Sequence, residues 1–186
     1  MKVRNTFLEG VCIIEPDVFF DSRGYFFESY NEKKFLELNL KYKFVQDNQS
    51  KSSYGVIRGL HYQIEPYAQT KLVRVICGKI FDVAVDIRKN SPTYGKWFGI
   101  ELSDENNLQL LIPKGFAHGF SVLSDYAIVL YKCDEFYHKE LERGIIYNDP
   151  YLNINWQVPD DKVIVSQKDN QLPDFQNAEI NFYYNN

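Results

Sequence analysis

Apolar residues along this chain fall in short runs separated by Gly, Pro, Asn and Asp, at positions 11–14, 25–30, 42–47, 56–63, 71–77, 80–88, 97–102, 108–112, 116–122 and 127–133. Val, Ile, Phe and Tyr dominate these runs, the residue types that fit a pleated, half-buried surface. Such a series predicts a mainly β fold, a sandwich or a barrel. One early helix is predicted over 32–38, with Asn31 able to cap its start and Phe35 and Leu38 spaced to meet the sheet. Beyond Cys133 the sequence turns polar. There 142–150 reads as strand then turn, and 151–186 as a wrap of loops and short helical turns whose last residues fray.

Period-two alternation sorts the side chains by face. In 71–77, Lys71, Val73, Val75 and Cys77 point one way and Leu72, Arg74 and Ile76 the other, so Lys71 shares a largely apolar face. Ala127, Val129, Tyr131 and Cys133 likewise share a face, which turns the Tyr131 phenol inward. In 56–63 strict alternation sends Arg58 and His61 to opposite faces, and Gly59 between them predicts a bulge. The link Gly78-Lys79, glycine first, predicts a type II′ hairpin over 71–88.

Composition bounds the function. With 186 residues and 45% hydrophobic content, the chain is sized for a single domain, 1–186, with its own core. A formal charge of -4 with no long basic run argues against nucleic acid or an anionic membrane as partner. No apolar stretch is long enough to span a bilayer and no secretory pattern opens the chain, so a soluble, cytoplasmic protein is expected. Cys12, Cys77 and Cys133 are odd in number and widely spaced in apolar runs. They read as buried thiols in a reducing compartment rather than as a disulfide frame or zinc site.

Candidate chemistry concentrates in two runs, 55–63 with Arg58 and His61 among glycines, and 113–120 with His118 among glycines and aromatics; Lys71 lies between them. Two histidines and a lysine converging would suit removal of a proton next to a carbonyl. Asp82 and Asp86 share a face and read as ion-pair partners of Arg58, Arg74 or Arg88, outside the catalytic set. His138, among Tyr137, Lys139 and Glu140, reads as solvated.

These motifs, in this order, resemble the dTDP-4-dehydrorhamnose 3,5-epimerase family of the cupin superfamily. The matching stretches are Phe20-Asp-Ser-Arg-Gly-Tyr-Phe-Phe-Glu28, Gln46-Asp-Asn-Gln-Ser50, residues 55–63, Lys71-Leu-Val-Arg-Val75, Asp82-Val-Ala-Val-Asp86, residues 113–120, Tyr131-Lys132, Glu142-Arg-Gly-Ile145 and Ser166-Gln-Lys-Asp169. The resemblance implies a cupin-type β-barrel (jelly roll) with a few short helices. It also implies a cofactor-free enzyme that inverts carbons 3 and 5 of dTDP-4-dehydro-6-deoxy-glucose. Inversion at carbon 3 alone, or action on another nucleotide sugar such as a GDP-sugar, stays open at this point.

By the same resemblance His61 is the base, Tyr131 the acid, Asp169 the partner that orients His61, and Lys71 lies near the keto oxygen. Arg23, Glu28, Gln46, Asn48, Arg58, His118, Glu142 and Lys168 match positions that hold the nucleotide sugar, and Tyr137 one that stacks on the thymine. The family is homodimeric, with Arg23 and Glu28 reaching the partner's site on an exchanged N-terminal segment. Extended N-terminal strands that need a partner edge fit that arrangement.

The residue chemistry agrees with these roles. A carboxylate on the far nitrogen fixes an imidazole's tautomer, a phenol stays protonated at neutral pH, and arginine grips phosphate in a bidentate fork. No metal is expected. Metal-binding cupins carry His-x-His and a downstream Glu in their first motif, where this chain has His61-Tyr62-Gln63 and Lys71, and His118 alone is too few ligands. We read the Lys71 ammonium as the electrophile in the metal's place.

Overall fold

A computed structural model describes residues 1–184; the fraying expected at the very end falls partly on 185–186, outside that range. In chain order the elements are β1 (Lys2–Asn5), β2 (Cys12–Glu15), β3 (Phe19–Asp21), β4 (Gly24–Phe26), helix α1 (Glu32–Glu37), β5 (Gln46–Ser53), β6 (Ile57–Gln63), β7 (Lys71–Cys77), β8 (Lys79–Asp86), β9 (Trp97–Ser103), β10 (Gln109–Ile112), β11 (Phe116–Val122), β12 (Tyr126–Cys133) and β13 (Glu142–Gly144). A six-stranded sheet, β1-β2-β10-β7-β12-β5, faces a five-stranded one, β13-β6-β11-β8-β9, while β3 and β4 form a separate hairpin. This is the mainly β jelly roll expected, with its two sheets packed rather than closed into a continuous barrel.

The core is layered. Val73, Val75, Leu110 and Val129 of the larger sheet meet Ile80, Ala84, Phe116 and Phe120 of the smaller one in the interior. The outer face of the larger sheet is covered by α1, whose Phe35 packs on Cys12, Ile14, Leu72 and Leu111. Asn31 caps this helix by accepting from the Lys34 N–H, but it ends at Glu37, so Leu38 becomes its C-cap and stays half-buried. The outer face of the smaller sheet is covered by the C-terminal segment through Trp156, Phe175, Ile180 and Phe182. Strand β8 is therefore buried on both sides, which explains its nearly unbroken apolar run Ile80-Phe-Asp-Val-Ala-Val85.

Three predicted elements are corrected. Residues 71–88 are not a hairpin: β7 pairs with β10 and β12, β8 with β11 and β9, and Gly78 is where the chain crosses between sheets. Gly78 has φ +83°, and a Cβ there would lie 2.1 Å from the Tyr126 carbonyl oxygen. Glycine is thus required by a tight crossover, a demand that resembles a hairpin turn in sequence. The run 25–30 contributes only β4, its remainder leading into α1. The run 42–47 is coil up to Val45, and the strand is instead the polar β5, pairing with β12 from Gln46↔Cys133 to Ser53↔Tyr126. Its alternation is clean, but its inward residues are polar, with Gln46 and Asn48 lining a cavity, so hydrophobicity does not mark it.

The bulge at Gly59 is present. His61 pairs with His118 and Arg58 with Phe120, so two residues of β6 oppose Gly119 alone. Ile57 and Leu60 both pack outward under the C-terminal segment, which leaves Arg58 and His61 facing inward together. A Cβ on Gly59, at φ +122°, would meet the Gly119 Cα at 2.6 Å and the His118 carbonyl oxygen at 2.7 Å.

Candidate active site

A cavity of 310 Å³ opens between the two sheets at one end of the jelly roll. The smaller sheet supplies His61. Its Nε2 lies 2.9 Å from Asp169 Oδ1, and Asp169 is itself held by the Gly59 N–H on Oδ2 at 3.3 Å. Burial pushes the Asp169 carboxyl up, but the hydrogen bond and charge of His61, together with the Gly59 N–H, hold it below the usual carboxylate value. An ionised carboxylate only accepts, so in the neutral imidazole it is Nε2 that carries the proton and Nδ1 that offers a lone pair. The bulge at Gly59 thus aims His61 inward and also delivers the amide that fixes its partner.

His118, in register with His61 on the next strand, is buried behind it, and its Nε2 is 2.8 Å from Asp82 Oδ1. Asp82 is therefore a histidine partner, not the arginine partner expected from sequence; Asp86 does pair with Arg88, at 2.8 Å. Burial lowers the His118 pKa, and the charges of Lys71 and His61 lower it further against the opposing pull of Asp82. The other Asp82 oxygen, Oδ2, is buried with no hydrogen-bond partner among the described residues.

The larger sheet forms the opposite wall. Lys71 of β7 and Tyr131 of β12 both line the cavity, with the Lys71 Nζ 5.9 Å from the centre of the Tyr131 ring. Burial lowers the Lys71 pKa while the charges of Cys133, Asp82 and Glu142 raise it, and no hydrogen bond within the described residues engages the ammonium. Burial raises the Tyr131 pKa, keeping the phenol protonated, with Arg58 pulling the other way. Gln46 and Asn48 of β5 continue this wall, Asn48 directly opposite Tyr131 in register.

At the mouth, Glu142 gathers Lys168 at 2.5 Å and the Tyr137 hydroxyl at 2.8 Å on one oxygen. The bond to this anion pushes the Tyr137 phenol up to about 12. Burial pushes Glu142 up, but the hydrogen bonds from Lys168 and Tyr137 bring it below its ordinary value. Gln63 and Gln69 also line the cavity; neither alternation nor the matching motifs mark them as site residues.

Arg58 borders an adjoining hollow with His61, Lys168 and Asp169, and its Nε donates to Ser52 Oγ at 2.9 Å. Arg23 and Glu28 do not line this chain's cavity: Arg23 pairs with Asp21 and Glu28 with Lys34 on the N-terminal arm. His138 is not merely solvated, since its ring stacks on Tyr67 at 3.9 Å. Cys12 and Cys133 are buried as expected, but Cys77 is half-exposed at the sheet crossover, 3.5 Å from the Tyr126 hydroxyl. Among the described residues no three His, Cys, Asp or Glu side chains gather closely enough to hold a metal ion.

The arrangement can accept a proton at His61 Nδ1, place positive charge at Lys71, and donate a proton from Tyr131 across the cavity. Known proteins are similar to this chain over most of its length. Residues 5–177 match the family model for dTDP-4-dehydrorhamnose 3,5-epimerase. A dTDP-4-dehydrorhamnose 3,5-epimerase from Shigella flexneri is 58% identical over 173 residues, covering 90% of this chain and 96% of its own. The crystal structure of the enzyme of that name from Elizabethkingia anophelis superposes with a TM-score of 0.90 at 56% identity, over 95% of this chain and 97% of that one. A Legionella pneumophila dTDP-6-deoxy-D-glucose-3,5-epimerase, solved with dTDP-4-keto-L-rhamnose, gives 0.91 at 48% identity over 95% and 93%. The chain belongs to the dTDP-4-dehydrorhamnose 3,5-epimerase family.

Proposed function

We propose that this cavity inverts carbons 3 and 5 of dTDP-4-dehydro-6-deoxy-D-glucose to give dTDP-4-dehydro-L-rhamnose, with His61 as base and Tyr131 as acid. The observation that carries the assignment of roles is their placement on opposing sheets across one cavity, with Lys71 beside Tyr131. His61 Nδ1 takes the proton on the carbon next to the ketone, and the released electron pair moves onto the carbonyl oxygen. Lys71 stabilises that oxyanion, and Tyr131 returns a proton to the opposite face as the carbonyl re-forms. His61 then sheds its proton and Tyr131 regains one, so the protein is restored before the second carbon reacts.

Arg58 and Lys168 are assigned to the diphosphate, His118, Gln46, Asn48 and Glu142 to the rest of the nucleotide sugar, and the Tyr137 ring to the base. Arg23 and Glu28 are assigned to the partner's site in a homodimer with exchanged N-terminal segments. Phe19, Phe20 and Phe26 on the β3–β4 hairpin, 65%, 74% and 68% exposed, support a second copy as their cover. Three free thiols suit a cytoplasmic enzyme; no helix among the described residues is long and apolar enough to cross a membrane.

Turnover in heavy water tests the reading. Deuterium should enter at both carbons, and His61→Ala should abolish exchange while dTDP still binds. Deuterium at one carbon only would remove the double inversion, and unchanged exchange in the variant would remove His61 as base. Light scattering should show a dimer, and a monomer at working concentration would remove the exchanged arm.

A further inference from the structure

Gln63 stands where metal-binding cupins carry a second histidine, two residues after His61 in β6. It is 4% exposed, and its carboxamide bonds only to the main chain of two separate loops. Nε2 donates to the carbonyls of Tyr67 and Phe136, the second at 3.0 Å, and Oε1 accepts from the His138 N–H at 2.7 Å. Two of these bonds thus fall on the residues immediately before and after Tyr137. The Tyr137 N–H itself donates to Gln46 Oε1 at 3.1 Å. Three consecutive residues of a loop that pairs with neither sheet are therefore pinned by two glutamine side chains, and the stacked rings of Tyr67 and His138 bind the two loops to each other. The Tyr137 ring nevertheless stays half open to solvent.

We infer that Gln63 is a positioning residue for the nucleotide: it holds the main chain around Tyr137 so that the ring presents a preformed face to a pyrimidine base. This rests on the assignment of Tyr137 to the base made above. A carboxamide supplies two donors and an acceptor from one planar group, matching two carbonyls and an N–H, whereas a carboxylate supplies no donor. A ring fixed before binding has less freedom to lose on binding, so its contribution reaches affinity rather than the chemical step. The position that holds metal in other cupins thus serves substrate recognition here.

Gln63→Glu keeps the acceptor for His138 and sets a carboxylate against two carbonyls. Calorimetry with dTDP and exchange kinetics with the full substrate should show Kd and KM raised roughly 10- to 100-fold, with kcat kept within about threefold. In a Tyr137→Ala background the same change should alter Kd by less than about twofold, because the two residues act as one unit. Gln63→Asn, a gentler change, should move Kd in the same direction and show the same dependence on Tyr137 if the Glu variant does not fold. An unchanged Kd, an equal effect with and without Tyr137, or a fall in kcat at constant KM would each overturn the role. If Tyr137→Ala alone leaves dTDP affinity unchanged, the base-stacking assignment fails and takes this inference with it; if it weakens binding and the Gln63 variants do not, only the inference fails.

Discussion

Replacing Lys71 with Met separates what the fold needs from what the reaction needs. The substitution keeps the length of the side chain and removes an ammonium that no hydrogen bond within the described residues engages. An ammonium about 4 Å from a developing oxyanion contributes about 4 kcal/mol at an effective dielectric of about 20. At about 1.4 kcal/mol per decade that is close to a thousandfold in rate, near the ~10²–10³ seen when one oxyanion donor is deleted. Deuterium uptake at saturating substrate, read by mass, should fall by that factor in Lys71→Met.

Stability should move the other way. Burial lowers the Lys71 pKa, so the charged form opposes folding, and its removal should raise the stability of the fold. For a domain of this size each kcal/mol gained is roughly 2–4 °C in Tm. Below the folded-state pKa the ammonium is charged in both states and the gap is constant. As pH rises toward an ordinary lysine pKa, the folded state sheds its proton first, the wild type gains stability and the gap narrows. A variant that keeps activity within about tenfold, or that melts lower than the wild type, would refute the view of Lys71 as an unpartnered charge held for the oxyanion.

Further outcomes follow from the same geometry. Asp169→Asn leaves His61 in place without its carboxylate and should lower kcat by roughly 10² to 10⁴ with little change in KM; steady-state kinetics would expose a smaller role if the loss stays under tenfold. Gly59→Ala puts a methyl against the Gly119 Cα and the His118 carbonyl at a positive φ, and should cost at least roughly 1–3 kcal/mol in denaturant unfolding. A neutral effect would mean the bulge is not rigid. Asp169 and Glu142 have folded-state pKa values below their ordinary ones. The stability they contribute is fully present above the unfolded-state values near ~4 and is lost as pH falls through the folded ones. Thermal melts should therefore show an acid limb below about pH 4 that is shallower in Asp169→Asn, and an identical limb in the variant would count against that linkage.

Much of this was legible in the chain, because a jelly roll writes its core as apolar strands. The bounds of β7 and β11 follow from composition alone, and the inward side of Lys71 and Tyr131 from alternation. The joint orientation of Arg58 and His61 follows from one glycine that a straight strand would not need. What alternation cannot carry is pairing. Gly78 satisfies a turn and a crossover equally, and only the long-range pairing of β7 with β10 and β12 and of β8 with β11 and β9 excludes the hairpin.

The misplacement of β5 and the misreading of Asp82 share a cause. Hydrophobic pattern reports where water is excluded by apolar packing, but a catalytic cavity lies inside the fold and is lined by polar groups. Gln46, Asn48 and Ser52 alternate as strictly as any core strand, yet the predicted run stops at 47 because the inward positions beyond it are polar. Asp82, wholly buried in the most apolar strand of the chain, was read as an ion-pair residue because its partner His118 lies on another strand. Both signals were present: a strictly alternating polar segment beside aromatic strands, and a carboxylate within an apolar run. Asp86, as deeply buried in the same strand, is satisfied by Arg88, Ser91 and Thr93 away from the cavity; it is where several such departures meet on facing strands that the inside of the protein is kept for a substrate.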